Sequence, residues 1–302
     1  MIRPDVGVVI VNYNRKSSTL RCIESVLASG YAAVKPVVVE NSDQSGERLT
    51  SADLRGELVE PPRNIGYAAG CNAGVKRLLE SDCDCYLLLN NDAIVTPGCI
   101  GTLVARLARD PSIGILSPLI VRPDGRIESA GISISRFTGR HRLVAFGAQP
   151  GPGVVSSSRS PQAVTGTAMM VTKSCFEKIG GFDESFFCYF EDVDLCARAR
   201  AGGLGIAVES AAAVVHNKAA VSADEIYYSC RNHIVVLRRY SPMPLIDRPR
   251  TALVRCYYWF YLARLGKNRD PRYLEALSEA VADTRCRPPR MGARLRDGGS
   301  AA

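Results

Sequence analysis

The 302-residue chain lacks the short motifs that mark several large enzyme classes. It contains no G-x-x-x-x-G-K-[ST] loop and no G-x-G-x-x-G turn, so neither a Walker-type nucleotide hydrolase nor a dinucleotide-dependent dehydrogenase is indicated. The G-x-S-x-G elbow of the α/β-hydrolases is absent as well. Any catalytic site must therefore be found outside these patterns.

Long apolar runs are also missing. The longest apolar stretch near the C-terminus, CYYWFYLARL, is about half of the ~20 residues that a membrane-spanning helix needs. The N-terminus, MIRPDVGVVIVNYN, runs directly into a strand-like segment, so we expect no targeting segment. We therefore expect a cytoplasmic protein, and peripheral contact with the inner face of the membrane stays open.

The cysteines do not form a recognisable framework. There are eleven of them, an odd number at irregular spacings with no signal peptide, which favours reduced thiols over disulfides. Cys83 and Cys85 form a C-x-C with neither a second pair nor a nearby histidine, a pattern that does not favour a zinc site.

Positive charge is concentrated in the C-terminal part. From Tyr227 to the end there are 15 Lys or Arg against 6 Asp or Glu, net +9, whereas the preceding residues have 23 against 24. The near-neutral first 226 residues disfavour a nucleic-acid enzyme, so no nucleic-acid partner is expected. The basic, aromatic-rich C-terminal segment is helical in pattern and fits an anionic membrane surface. A helical cap on the catalytic domain or an oligomer interface, such as that of a homodimer, is the alternative.

What the chain does contain is an alternation of strands and helices over its first 110 residues. Apolar runs at 6–14, 35–39 and 86–89 end in the polar clusters NYN, ENSD and NND, and amphipathic segments follow at 16–29, 71–81 and 96–109. PPRNIGYAAG (61–70) is interpreted as a loop. Further strands are expected at 115–121 and in GIAVES (205–210), and helices from Ala223 onward. This order predicts an open α/β fold whose ligands bind beyond the carboxyl ends of the strands.

Two strand ends carry candidate metal ligands. Asp92, with Asn90 and Asn91, follows the buried run Leu87–Leu89, where a carboxylate is well placed to hold a hard divalent cation. A turn with self-bonding Asn and Asp side chains explains the same residues. His216, just past another apolar run, is equally a ligand or a structural histidine.

The stretch CYFEDVDLCARARAGG holds three carboxylates, those of Glu191, Asp192 and Asp194. Acidic residues in the first turn of a helix cap its N–H groups and complement its dipole, so a purely structural role is available. A catalytic carboxylate is the other reading.

Six motifs in order resolve much of this: VVIVNYNRKSSTLRCIESVLAS, VVVENSDQSG, NIGYAAGCNAGV, LLLNNDAIVTPGCI, GTAMMVTKSCFEKIGGFDESFFCYFEDVDLCARARAGG and VVHNKAA. Together they resemble the inverting family 2 glycosyltransferases, in particular the rhamnosyltransferase-like branch, over roughly residues 6–240. The resemblance implies an α/β GT-A fold, in which a mixed, mainly parallel Rossmann-like sheet is flanked by helices. The expected domains are a catalytic domain at 1–221 (donor half to about 110), a basic helical region at 222–284 and a disordered tail at 285–302.

The resemblance also implies roles for individual residues. Asp192 is the expected general base, with Glu191 beside it, and Asp92 and His216 are the expected ligands of Mg²⁺ or Mn²⁺. On the acceptor side the expected residues are Phe187, Tyr189 and Phe190, although plain core packing is expected for at least two of Phe186, Phe187, Tyr189 and Phe190. The expected donor-binding residues are Asn12, Tyr13, Asn14, Glu40, Asn64, Gly66, Asn72 and Asn91. Glu40 stands where the family usually has the Asp that reads the base, and NND replaces its D-x-D motif.

The expected reaction moves a sugar, with L-rhamnose from dTDP-rhamnose as the best guess, from a dTDP- or UDP-sugar to an acceptor hydroxyl. The acceptor is a saccharide, a lipid-linked molecule or a small molecule. The departures at Glu40 and NND keep a second hypothesis open, a nucleotide-sugar-binding protein of the same fold with impaired catalysis. A sugar nucleotidyltransferase is disfavoured because the Gly-rich basic phosphate loop is absent.

Overall fold

The computed structural model describes residues 4–43, 47–135, 138–151, 153–154, 160–241 and 243–284, and the tail expected over 285–302 lies outside them. The chain divides into two compact units. Unit 1 consists of Met1–Ser133, Arg142–Asp183 and Asp192–Lys218, and unit 2 consists of Ile134–His141, Glu184–Glu191 and Ala219–Ala302.

A nine-stranded mixed sheet forms the centre of unit 1. Its strands are β1 (Val6–Asn12), β2 (Val34–Glu40), β3 (Glu57–Val59), β4 (Cys85–Asn90), β5 (Ala93–Val95), β6 (Ile113–Val121), β7 (Ile127–Ser129), β10 (Ala168–Thr172) and β11 (Gly205–His216). The order is β3-β2-β1-β4-β10-β6-β11-β5, with β7 paired to β6. Two further strands, β8 (Ile132–Ile134) and β9 (His141–Leu143), pair separately.

The parallel half of the sheet, β3-β2-β1-β4, agrees with the predicted strand and helix alternation. Every residue of β1 is buried, as expected for an apolar strand whose two faces are both covered. Helices α1 (Lys16–Leu27) and α2 (Gly66–Leu78) connect these strands.

Helix α2 begins at Gly66, so the loop predicted for residues 61–70 is wrong over its second half. The reason is close packing against β1. A Cβ at Gly70 would lie 3.0 Å from a methyl group of Val11, and one at Gly74 would lie 2.4 Å from Val9. The small residues that suggested a loop instead let the helix approach the strand.

Unit 1 also contains the helices α3 (Cys99–Arg109), α4 (Lys173–Ile179) and α5 (Glu191–Ala201). The first residue of α5, Glu191, is assigned to unit 2. Helix α3 begins three residues later than predicted because Gly98, with φ +77°, precedes it. The predicted short strand GIAVES is the first half of β11, which continues to His216 across an irregularity between Glu209 and Ala213.

Unit 2 contains α6 (Ala223–Tyr240), α7 (Asp247–Arg264) and α8 (Pro271–Asp283), which confirms the helices predicted from Ala223 onward. Their buried sides form one apolar cluster that includes Ile234, Tyr258 and Leu277. Within the described residues, no helix is both long enough and apolar enough to cross a bilayer.

Ten cysteines lie in the described part of the chain, and all carry free thiols. Burial raises the pKa of both Cys85 and Cys99 to about 12. These thiols are therefore protonated at neutral pH and behave as small apolar side chains.

Candidate active site

The polar ends of three parallel strands lie together at one edge of the sheet. In the strand register Asn12 is opposite Glu40, and Val11 is opposite Asn90. The ends of β1, β2 and β4 therefore meet, as the sequence predicts.

Glu40 is buried at this edge, with 1% of its surface exposed. Its carboxylate accepts hydrogen bonds from the Ser42 N–H at 2.8 Å, the Leu49 N–H at 2.5 Å and the Asn12 side-chain amide at 2.9 Å. These donors occupy both oxygens. Glu40 thus fixes the backbone of the segment that follows β2.

Asn12 connects the three strand ends. Its Oδ1 accepts from Thr19 Oγ1 at 2.7 Å, and the Asn91 amide donates to Thr19 Oγ1 at 3.2 Å and to Asn12 Oδ1 at 3.4 Å. The side chain of Asn91 is therefore turned toward β1 and α1, where it fixes the turn that contains Asp92.

Tyr13 and Asn14 lie just past β1, with Tyr13 exposed and Asn14 at φ +51°. The Tyr13 hydroxyl donates to Asp43 Oδ2 at 3.2 Å, and the Asn14 amide donates to Asp43 Oδ1 at 3.3 Å. The Asn14 N–H also donates to Ser42 Oγ at 2.9 Å. Asp43, the last residue of the ENSD cluster, thus joins the ends of β1 and β2.

The loop before α2 is attached to the same edge through Asn41. The Asn41 amide donates to Asn64 Oδ1 at 2.9 Å and to the Gly66 carbonyl at 3.1 Å. Asn72, farther along α2, exchanges two hydrogen bonds of 2.9 Å with the backbone of Phe182. Asn64 and Gly66 therefore border the strand ends, whereas Asn72 positions the segment that follows α4.

Asp92 and His216 are in contact, as expected of two residues of one site. His216 Nε2 lies 3.2 Å from Asp92 Oδ1, and His216 Nδ1 lies 3.0 Å from both carboxylate oxygens of Glu128. Strand pairing produces the arrangement, because His216 is opposite Ala93 in the β11–β5 pair, and β7, which carries Glu128, pairs with β6.

The two carboxylates stabilise a positive charge on His216. Burial disfavours the imidazolium, but the hydrogen bonds and charges of Asp92 and Glu128 outweigh it and raise the pKa of His216 to about 9. Arg15 Nη1 lies 3.9 Å from Asp92 Oδ2 and adds a second cation, half-exposed to solvent. Asp92 thus sits among groups that can bind a diphosphate.

The residues around Asp92 fit a divalent cation that arrives with its substrate. Among the described residues, no group of three His, Cys, Asp or Glu is arranged to hold a metal ion by itself. Asp92 Oδ1 and His216 Nε2 are nevertheless close enough to share one ion once His216 has released its Nε2 proton, because only the neutral imidazole binds a metal. Glu128 on Nδ1 supplies the carboxylate that usually orients a ligating histidine. Mg²⁺ in particular is commonly bound by one or two carboxylates, with substrate phosphates and water filling the other positions.

Asp192, in the first turn of α5, has a different environment. Its Oδ2 accepts from the Gly166 N–H at 2.8 Å and its Oδ1 from the Val193 N–H at 2.7 Å. Burial raises the pKa of Asp192 above its ordinary value, and the two backbone N–H groups offset only part of this effect. A carboxylate with a raised pKa is a stronger proton acceptor.

A short segment of backbone links Asp192 to the strand ends. Gly166 donates to Asp192, and the next carbonyl, that of Thr167, accepts from the Asn90 N–H at 3.0 Å. Tyr67 of α2 donates to the Gly166 carbonyl at 2.9 Å. The segment before β10 therefore connects the expected base to the turn that bears Asp92.

The two other carboxylates near Asp192 in the sequence, those of Glu191 and Asp194, have other surroundings. Asp194 is fully buried and pairs with Arg198 Nε at 2.7 Å, while Arg198 also donates to the Ile179 carbonyl at 2.7 Å. Glu191 is buried, and its charge, after burial itself, raises the pKa of the Cys188 thiol.

In unit 2, the aromatic segment 186–190 is strained and largely packed. Phe187, Tyr189 and Phe190 all have φ between +64° and +69°, a region that non-glycine residues rarely occupy and that is found often at functional sites. Phe187 stacks on Tyr228, and the buried Phe190 stacks on His233. Tyr189 is exposed.

The buried Asn232 holds this segment. Its amide lies 2.9, 2.8 and 2.7 Å from the carbonyls of Phe186, Cys188 and Tyr189. Packing thus accounts for at least two of the four aromatic rings, as expected.

Sequence reasoning missed Glu128, Arg15 and Thr19, and it included Asp43 in the ENSD cluster without a role of its own. Glu128 lies in a three-residue strand that has no periodic signal. Arg15 directly precedes α1, and Thr19 lies in the first turn of that helix. A search for polar residues one helical turn beyond each strand end would therefore find both.

Comparison with known proteins identifies relatives of the chain that are named as glycosyltransferases. The chain is 28% identical to the low-salt glycan biosynthesis hexosyltransferase Agl10 of Haloferax volcanii, over 76% of this chain and 75% of that protein. It is also 28% identical to an N-acetylglucosaminyl-diphospho-decaprenol L-rhamnosyltransferase of Mycobacterium tuberculosis, over 70% of this chain and 76% of that protein.

Two solved structures share the fold. One is GalNAc-T7 with UDP, GalNAc and Mn²⁺ (TM-score 0.58, 16% identity, 94% of this chain and 55% of that chain). The other is the mannosyltransferase PcManGT from Pyrobaculum calidifontis in complex with GDP-Man and Mn²⁺ (TM-score 0.55, 17% identity, 93% and 76%). The α/β fold is thus the GT-A fold expected from the sequence. The model of the glycosyltransferase-like family 2 matches residues 4–232, and the chain belongs to that family of glycosyltransferases.

Proposed function

We propose that the protein transfers a sugar from a nucleotide-diphosphate donor to an acceptor hydroxyl in one step, with inversion at the anomeric carbon. The observation that carries the proposal is the contrast between two carboxylates joined by one backbone segment. Asp92 lies among cations at the strand ends, and Asp192, whose pKa is raised, is held by Gly166.

Asp192 is the general base in this scheme. The acceptor oxygen attacks the anomeric carbon as its proton passes to Asp192, and the bond from that carbon to the diphosphate oxygen breaks with its electron pair leaving on the nucleoside diphosphate. The N–H groups of Gly166 and Val193 fix the carboxylate, and each oxygen keeps a lone pair for the acceptor hydroxyl. A positioned general base of this kind typically increases the reaction rate by about 10²–10⁴-fold.

Asp92 and His216 would hold the divalent cation, with Glu128 orienting the imidazole and Arg15 available to the diphosphate. The chemistry that such a cation would supply is compensation of the negative charge on the leaving diphosphate. Of the two expected ions, Mn²⁺ would accept the imidazole nitrogen as well as the carboxylate, whereas Mg²⁺ would be bound through Asp92, the substrate phosphates and water.

The remaining donor-side residues have mostly positioning roles. Five residues position the backbone at the strand ends, namely Asn12, Glu40, Asn64, Gly66 and Asn91. Tyr13 and Asn14 lie just past β1, where they are proposed to contact the donor. Glu40 acts through Asn12 and Ser42, since three donors engage its carboxylate. Asn72 positions the segment at Phe182.

Within unit 2, Tyr189 is the proposed acceptor-side ring because it is exposed, whereas Phe187 and Phe190 pack on Tyr228 and His233. Glu191 supports the start of α5, from which Asp192 projects. L-Rhamnose from dTDP-rhamnose is the proposed donor, and a lipid-linked saccharide the proposed acceptor, since a relative at 28% identity is named for that class of reaction.

A donor panel tests the proposal. The full chain is incubated with Mn²⁺ and dTDP-L-rhamnose, a UDP-hexose or GDP-mannose, with and without lipid-linked and free saccharides, and nucleotide diphosphate release is measured. We expect acceptor-dependent release, greatest with dTDP-L-rhamnose. Calorimetric binding of a donor with no release under any condition would favour the nucleotide-sugar-binding alternative and overturn the catalytic proposal.

A further inference from the structure

The outer face of α7 in unit 2 is an exposed apolar stripe. Large apolar side chains there are strongly exposed, namely Leu253 at 51%, Trp259 at 41% and Phe260 at 63%, and Leu245, just before the helix, is 99% exposed. Seven of the twelve large exposed apolar side chains in the described chain fall between Tyr240 and Leu265.

Helical spacing places these residues on one side. The exposed α7 residues Pro249, Ala252, Leu253, Cys256, Trp259 and Phe260 recur at intervals of one, three and four. At about 100° per residue they cover a stripe roughly 120° wide. The opposite side of the helix, with Val254, Tyr258 and Leu262, is buried in the core of unit 2.

Arginines border the stripe, and no acidic residue lies within it. Arg248 and Arg255 fall along one edge and Arg264 along the other, all exposed. None of the three forms an ion pair within the part of the chain that the structure describes. The single acidic residue of α7, Asp247, pairs with Arg238 of α6 at 2.9 Å.

We propose that this stripe docks on an anionic membrane surface, with its apolar side chains in the interface and the arginines at the phospholipid headgroups. An apolar helix face flanked by basic residues and lying in the plane of the interface is the arrangement that such binding requires. Each arginine near an anionic bilayer contributes about fivefold in partitioning.

A second copy of the chain fits this stripe less well than an anionic membrane does. Two copies that met through this face would bring the three arginines of each protomer, Arg248, Arg255 and Arg264, to one contact, with no carboxylate of the α7 stripe to pair with them. Like charges in such a contact oppose association. Phospholipid headgroups provide the negative charge that the stripe lacks.

The chain carries its own reporter, because Trp259 is its only tryptophan. Full-length protein is mixed with vesicles of phosphatidylcholine alone or with about one third phosphatidylglycerol, and tryptophan emission and flotation are recorded. We expect a blue shift, quenching by brominated acyl chains and flotation with the anionic vesicles only. An unchanged emission together with protein that stays in solution would overturn the proposal.

A matched pair of variants separates the stripe from other apolar surface. Leu253→Ala/Phe260→Ala removes side chains 51% and 63% exposed and retains Trp259, and Leu79→Ala/Phe146→Ala removes the same residue types at 48% and 60% exposure in unit 1. We expect the first variant to lower vesicle partitioning by roughly 100-fold and the control to partition as the wild type does.

Two outcomes of these measurements would contradict docking through this stripe. Wild-type flotation by the Leu253→Ala/Phe260→Ala variant would assign binding to charge alone, including the five arginines and one aspartate of residues 285–302. A concentration-dependent blue shift without vesicles, with a dimer in sedimentation that the same variant abolishes, would assign the stripe to a second copy. Neither readout requires a sugar donor, so the result is independent of the proposed transfer reaction.

Discussion

Two aspartates of unit 1, Asp92 and Asp192, are joined by the short segment at Gly166 and Thr167 but have opposite surroundings. Asp92 is in contact with His216 at 3.2 Å and lies 3.9 Å from Arg15. Asp192 has no side-chain cation among its hydrogen-bond partners in the described residues and accepts only from backbone N–H groups. The difference shows how environment assigns two identical side chains to different tasks, one to charge and one to proton transfer.

The largest expected effect is that of Asp192→Asn. Because the amide cannot accept the proton, kcat should fall by about 10²–10⁴-fold while the dissociation constant of the donor stays within about twofold. Nucleotide diphosphate release and calorimetric donor binding measure the two quantities. Asp124→Asn, at an exposed aspartate paired with Arg122, is the matched control and should leave both unchanged.

A neighbouring substitution should have the opposite profile. Asp194→Asn breaks the pair between the buried Asp194 and the partly exposed Arg198, so the free energy of unfolding should fall by about 2–3 kcal/mol. Urea denaturation measures the loss, and Asp192→Asn should show none of comparable size. Equal destabilisation by the two variants would mean that Asp192 is structural.

Asp92→Asn tests the cationic side of the comparison. Loss of the carboxylate should weaken Mn²⁺-dependent donor binding and lower kcat/KM by about 10²–10³-fold. Chelation of the metal should inactivate the wild type, and added Mn²⁺ should restore it. Full activity of Asp92→Asn in the presence of chelator would remove Asp92 from the donor site.

Glu128→Gln should have a smaller effect of the same kind. Its carboxylate orients His216 through Nδ1, and loss of such a partner typically costs 10–100-fold in metal affinity. Manganese titration followed by electron paramagnetic resonance measures the affinity directly. Glu80→Gln, at an exposed glutamate paired with Arg77, is the control.

The pH dependence should separate the aspartates further. Asp192 accepts a proton only as the carboxylate, so kcat/KM should fall about tenfold per pH unit below its pKa. Burial raises that pKa, so the acid limb should lie above the ~3.9 of an ordinary aspartate. Protonation of a group whose pKa is raised in the folded state stabilises that state as the pH falls. The loss of activity over this limb should therefore not come from unfolding caused by Asp192.

Much of this arrangement follows from the sequence, because buried parallel strands carry strong patterns. The apolar runs that form β1, β2 and β4 are sufficient to predict that Asn12, Glu40 and Asp92 lie at one edge of the sheet. The helices predicted from Ala223 onward rest on the same kind of periodic signal.

What the sequence could not predict depends on short strands and on register. The three-residue strands β5 and β7 have no periodicity, yet they bring His216 to Asp92 and Glu128 to His216. The burial of Glu40 likewise depends on where the chain turns after β2, as Leu49 returns to donate to it. The roles of Asp192 and the metal ligands remain predictions that the experiments above test.

The most direct test of the central claim is the anomeric configuration of the product, read by proton NMR immediately after transfer by the wild-type protein. A single displacement with Asp192 as base predicts a configuration opposite to that of the donor sugar. A product that retains the donor configuration would contradict it.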